Sequence, residues 1–148
     1  MSDLLGDTST ALNTTFAGGT ALTALLSTVP NTGTAVYPAV YDMQAPDGAT
    51  LPYLIYNHQG GGPDSINPSE IESNLWLVKA YSATSAQNAS QIFAEADLLI
   101  HRKQLSINGG TVNTFWCARE ENVKLVETLP SKQHVWMQGG LYRIRTAG

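Results

Sequence analysis

Hydrophobic and polar positions along the chain follow two periods. Leu22, Leu25 and Leu26 form one short stripe just ahead of Pro30, which predicts a helix over residues 20–29. Upstream, residues 1–19 are rich in Ser, Thr and Gly. Helical spacing at Leu5, Leu12 and Phe16 is weak there and is interrupted by Gly18-Gly19, so the stretch reads as a polar, mobile extension. Residues 31–51 hold Asn31, Gly33, Pro38, Pro46 and Asp47-Gly48 and read as turns. The period then shortens. Tyr53-Leu54-Ile55-Tyr56, after Pro52, predicts a strand over 52–57. Residues 59–68, opening on Gly60, Gly61 and Gly62, read as a loop. Over residues 70–82, Trp76, Val78 and Ala80 alternate with Leu75, Leu77, Lys79 and Tyr81. Both faces are mostly apolar, which predicts a strand in the centre of its sheet.

The clearest helical pattern covers residues 84–104. Ala86, Ala89, Ile92, Phe93, Ala96, Leu99 and Ile100 fall on one stripe, Thr84 and Gln87 have capping-box spacing, and His101, Arg102 and Lys103 would close the last turn. Asn108-Gly109 marks a tight turn. Residues 111–128 predict a long strand with a bulge near 119–122, residues 130–133 a turn, and 134–146 a final strand kinked at Gly139-Gly140. Trp76, Trp116 and Trp136 are assigned to the core. The order of elements implies an α+β fold: a single, mainly antiparallel sheet of about four strands with helices packed on one face.

Composition narrows the function classes. A chain of 148 residues fits one domain spanning 1–148. Only 14% of residues are charged, against about a quarter in typical domains, which suggests a surface that meets protein rather than water. Residues 1–78 carry seven acids and no lysine or arginine; residues 79–148 carry all eight lysines and arginines and five acids, giving the two halves net charges of −7 and +3. A pI near 5.2 argues against sequence-reading DNA binding, whereas a dipolar chain is suited to meeting copies of itself. The first basic residue is Lys79, so no secretory signal is expected, and no apolar run approaches the about 20 residues that span a bilayer. A lone Cys117 excludes an internal disulfide and a multi-thiolate metal site.

No catalytic, cofactor or metal constellation emerges. Gly60, Gly61 and Gly62 lack the lysine and helix of a phosphate loop. His58, His101 and His134 are far apart and have no ligand spacing. Cys117 lies in an apolar strand, Phe115-Trp116-Cys117-Ala118, where a buried inert thiol is the expectation. Glu120 and Glu121 are adjacent and so would face opposite sides of a strand. Surface remains: Leu98 lies opposite the helix's apolar stripe, near Gln91 and Arg102.

The stretch Ala21-Leu22-Thr23-Ala24-Leu25-Leu26, then Val36-Tyr37-Pro38, then Pro46 and Leu51-Pro52-Tyr53-Leu54-Ile55-Tyr56, resembles the opening of tail-completion or tail-terminator (head-to-tail joining) proteins of long-tailed bacteriophages. The strand over 74–82, the Ala-rich helix and two closing strands ending in Leu141-Tyr142-Arg143-Ile144-Arg145 extend the resemblance over residues 20–146. It implies a structural virion protein, not an enzyme. Such a protein forms a ring, hexameric in the family, that ends the tail tube and joins it to the head connector. Its partners would be itself, the tail tube protein, a head-completion or connector protein, and genomic DNA passing through the lumen without sequence-specific binding. It would be assembled in the host cytoplasm and reside at the tail–neck junction, with no membrane and no cofactor. Another neck component, such as a head-completion or stopper protein, is the alternative; a small enzyme using Cys117 is a remoter one. Within such a ring, Gly60, Gly61, Gly62, Asp64, Glu70 and Glu72 are expected at or near the channel. Leu98, Arg102, Arg143 and Arg145 are expected toward protein neighbours.

Overall fold

The strand with two apolar faces does sit in the middle. In the computed structural model, which describes residues 4–29, 36–63, 71–107, 112–128 and 133–147, the helices are α1 (Leu4–Ala17), α2 (Thr20–Thr23) and α3 (Ala86–Ile100). The strands are β1 (Val40–Asp42), β2 (Tyr53–Pro63), β3 (Ile71–Ser82), β4 (Ser106–Ile107), β5 (Val112–Thr128) and β6 (His134–Ala147). They form one sheet in the order β1-β2-β3-β6-β5-β4, antiparallel except for the β1–β2 pair. The fold is α+β, as the periods imply. Its sheet has six strands rather than four because β1 and β4, three and two residues long, are too short to carry a period of their own. The strand order also places the two charge halves of the chain on the two halves of the sheet.

One face of the sheet carries the core. Leu54 and Tyr56 of β2, Trp76, Val78 and Ala80 of β3, Cys117 of β5, and Tyr142 and Ile144 of β6 pack under α1 and α3. The alternate residues, Leu75, Leu77, Lys79 and Tyr81, are half-buried on the other face. The chain's first residues are not simply a polar extension. Thr8, Ala11, Leu12 and Phe16 of α1 are buried, a stripe at helical spacing that the sequence disguises because one of its members is a threonine.

Helix α3 starts one residue later than the capping-box spacing suggests. Ser85 is the N-cap, accepting the Asn88 N–H at 3.0 Å. The helix ends at Ile100, so His101, Arg102 and Lys103 follow it instead of closing its last turn. Arg102 adopts a left-handed φ of 58° and donates its N–H to the Cys117 carbonyl at 2.7 Å. Helix α2 stops at Thr23, well short of residue 29. Beyond it, Ser27 and Val29 donate their N–H groups to Pro52 and Tyr37, and these long-range bonds outweigh local helix propensity.

The Gly-rich segment is strand, not loop, as far as Pro63. Gly60, Gly61 and Gly62 pair with Leu75, Asn74 and Ser73 across a register shift between His58 and Gly60. Gly61 has φ 114°, and a Cβ there would overlap the Ser73 carbonyl oxygen, so glycine is required by close backbone approach. The bulge expected near 119–122 is present, between Arg119 and Glu121. Gly139 and Gly140, in contrast, do not kink β6, which pairs with β3 without a register shift. A Cβ on Gly140 would come to 3.0 Å from the Phe93 ring, and one on Gly139 would overlap the Val78 carbonyl; these glycines let helix and strands approach. Of the three tryptophans only Trp76 is buried. Trp136 is half-buried and Trp116 is 53% exposed, because it lies on the face that α1 and α3 do not cover. The turn expected at Asn108-Gly109, and that expected at 130–133 except for Gln133, lie outside the described residues.

Candidate assembly surfaces

The residues singled out from sequence divide into separate groups. Pairing places Gly62 beside Ser73 and Ser73 beside Arg145, and Gly60 beside Leu75 and Leu75 beside Arg143. The Gly-rich strand and the two arginines therefore share one end of the helix-free face. Arg143 is held within its own chain there, with Nε 2.7 Å from Glu120 Oε1 and Nη1 donating to Ser73 Oγ at 2.9 Å. Arg145 is exposed. Glu72 points to the other face, half-buried beside Asn74, whose Nδ2 donates to it at 3.5 Å. Asp64 and Glu70 lie outside the described residues. Leu98, 66% exposed on α3, and exposed Arg102 stand away from this group.

A polar network lies under the C-terminal half of α3. Tyr142 donates its hydroxyl to Asp97 Oδ1 at 2.5 Å, and Arg119 Nη1 lies 3.0 Å from Asp97 Oδ2. Burial, then the Asp97 hydrogen bond and charge, push the Tyr142 hydroxyl up. Cys117 lies nearby and is buried. Burial, then the Asp97 charge, push its thiol up from 9.0 to about 12, the opposite of what a thiolate nucleophile requires. Arg119 caps this region from above, its guanidinium 6.0 Å from the Phe93 ring centroid. The network opens onto a shallow groove of about 560 Å³ between α3 and β5, lined by Ser90, Asp97, Leu98, Asn122, Lys124 and Gln138. Among the described residues no group of three or more His, Cys, Asp and Glu is placed to hold a metal ion, and no helix is long and apolar enough to cross a membrane.

Apart from Leu98, sequence reasoning missed the flanks. Among the described residues the large exposed apolar side chains are Leu5, Val36, Tyr37 and Met43 near the β1 end and Leu98, Trp116, Leu125 and Val126 near the β5 end; none lies on β3 or β6. One signal was available. Leu125 and Val126 are adjacent in a strand and so face opposite sides, and only one of them could have reached the core; here both remain exposed. A cleft of about 470 Å³ opens between α1 and the β1–β2 edge, with Leu5, Ser9, Asp42, Met43, His58 and Trp76 around it. No spacing in the sequence could reveal it, since α1, β1, β2 and β3 each supply part.

Three comparisons with known proteins bear on this arrangement. The model of the family described as tail completion protein gp17 matches residues 20–138. No curated protein matches the chain. A chain in the solved structure described as "Virion of native gene transfer agent (GTA) particle" superposes with a TM-score of 0.73 at 14% identity, the match covering 100% of both chains. At that identity the likeness is one of fold.

Proposed function

Because the chain belongs to the tail completion protein gp17 family, and so is a structural protein of the virion tail, we propose that it closes the tail tube as a ring. In this reading residues 1–148 act as one domain, six copies form the ring, and the ring joins the tube to the head connector, with genomic DNA passing through its lumen. The observation that carries the reading is the family match over residues 20–138. The unlike ends of the sheet support the ring: a patch that binds a different patch on the next copy generates closed rings when the rotation closes. No catalytic role is assigned to Cys117, whose raised pKa and burial suit a packing role.

The lumen follows from electrostatics. Duplex DNA carries one negative charge per about 1.7 Å, and each lysine or arginine that neutralises a phosphate adds sequence-independent affinity. A sliding channel therefore favours acidic or neutral walls. Asp64, Glu70 and Glu72, with no cation between them along the sequence, are assigned to that wall with Gly60, Gly61 and Gly62, Glu72 from the helix-covered face of β3. Leu98, Arg102, Arg143 and Arg145 are assigned to protein contacts.

Electron microscopy of the purified protein, alone and mixed with tail tubes, tests the reading. Rings seated on one end of the tube are the expected result. Rings that bind only the portal side of the head would instead make the protein a stopper or head-completion component.

A further inference from the structure

The cleft under α1 has the chemistry of a receptor. Trp76 forms part of it and is only 2% exposed, yet its indole N–H has no hydrogen-bond partner among the described residues. That N–H is sealed beneath the floor of the cleft, so contact with a partner falls to the rim. On the rim, Met43 is 74% exposed and Leu5 37%, and methionine and aromatic residues are the types enriched at interface cores. Asp42 adds an exposed carboxylate, in a half of the chain that has no lysine or arginine.

The opposite flank carries the matching features. Strand β5 is 17 residues long, but β4 pairs only with its Val112 and Asn113. The Arg102 N–H and the His101 ring then take the Cys117 carbonyl and the Arg119 N–H. Among the described residues no strand lies outside residues 121–128, so this edge presents free backbone acceptors. Exposed Val126 projects from one face of this segment beside Lys124, while Leu125 projects from the other face with Glu121 and Glu127. Long open edges with apolar side chains are aggregation sites unless something covers them.

We propose that the cleft under α1 receives the 121–128 edge of β5 from a second copy of this chain. Val126 packs against Met43 and Leu5, and Lys124, two residues away on the same face of the strand, faces Asp42. Cleft and edge are different surfaces of one chain, so every copy has one of each and the contact propagates around a ring. The inference rests on the ring reading and specifies the contact that builds it.

Sedimentation velocity on the full chain tests it. Met43→Asp blocks the cleft, at a left-handed position (φ 68°) that aspartate tolerates. Val126→Asp blocks the edge. Each variant alone should raise the concentration needed for assembly by about tenfold or more, the scale of one lost anchor contact. Mixed in equal amounts, the two should give a dimer that grows no further, since one intact cleft then meets one intact edge. Asp42→Lys and Lys124→Asp should each weaken assembly, and together in one chain restore it. Rings that persist in both blocked variants, or a mixture no different from its components, or a charge-swapped chain without recovery would overturn the contact while leaving the ring standing. A wild-type chain that stays monomeric at every concentration, both free and with tail tubes, would overturn the ring reading and this contact with it.

Discussion

The middle of the sheet and its two flanks follow different rules. In the middle, β3 pairs with β6 along its whole length, α3 covers one face, and Trp76, Val78, Tyr142 and Ile144 are sealed from water. At the flanks, β1 and β4 are stubs, the edges of β2 and β5 run on past them, and large apolar side chains stand exposed. Interiors pack near crystal density and resist any change of volume, whereas an open flank tolerates substitution until a partner covers it. The contrast implies a division of labour: the centre keeps the chain folded, and the flanks are shaped for assembly.

The comparison breaks most readily at Phe93. Its side chain is buried between Gly140, the Tyr142 ring 6.3 Å away and the Arg119 guanidinium. Phe93→Ala should cost about 3–4 kcal/mol through lost burial and a residual cavity. Gln91→Ala, on the exposed side of the same helix, should stay within about 0.5 kcal/mol. Urea unfolding of both variants checks this, and equal losses would contradict the assigned face.

The glycines sharpen it next. Gly139→Ala should cost about 2 kcal/mol or more, since the new methyl overlaps the Val78 carbonyl and backbone must move. Gly62→Ala has nothing within 4 Å of the new Cβ and should be neutral or stabilising by about 0.5 kcal/mol through a less flexible unfolded chain. Thermal melts of the two variants read the difference directly; a Gly62→Ala loss as large as that of Gly139→Ala would erase the distinction between centre and flank.

The same division governs what the sequence disclosed. β3, α3, β5 and β6 were legible because long elements repeat their period and sit where burial enforces it. The stripe of α1 was hidden by Thr8, a polar residue in a buried position. The extension of β2 through three glycines was hidden because its strand state comes from pairing with β3 rather than from propensity. Gly139 and Gly140 read as a kink because a sequence shows that a side chain is missing but not what approaches the gap. The candidate surfaces were least legible. Charge segregation was visible in the composition, but its placement on opposite halves of the sheet required the strand order, and the cleft required four elements distant in sequence.

Cys117 gives a smaller effect with a definite sign. Cys117→Ala should cost about 1 kcal/mol at neutral pH, as a modest core truncation. The unfolded thiol ionises near 9.0 and the folded one near 12, so between those values the unfolded chain has lost a proton that the folded chain keeps. The stability due to burying the neutral thiol is therefore complete below pH 9 and is lost as pH rises toward 12. In unfolding free energies measured across this window, wild type should decline more steeply than Cys117→Ala. Tyr142, whose hydroxyl is pushed up mainly by burial and by Asp97 and last by Cys117, adds a decline to both chains and the smaller one to Cys117→Ala. Parallel declines would show that the thiol is not desolvated as its burial implies.

The smallest expected change in the chain itself is at Leu98. It stands 66% exposed on α3, on a ridge between the groove beside β5 and a second hollow formed with Gly18, Gly19 and Glu95. Leu98→Gln keeps helix propensity close to that of leucine and removes apolar surface that already faces water. The dissociated chain should therefore unfold within about 0.5 kcal/mol of wild type. A side chain that does nothing for its own fold but contacts a neighbour separates the two readouts: the melting temperature of the monomer stays fixed while the concentration needed for assembly rises. A loss of monomer stability of about 1.5 kcal/mol or more, the scale of a buried leucine, would move Leu98 from the flank to the core. An unchanged monomer with unchanged assembly would remove it from the contact surface.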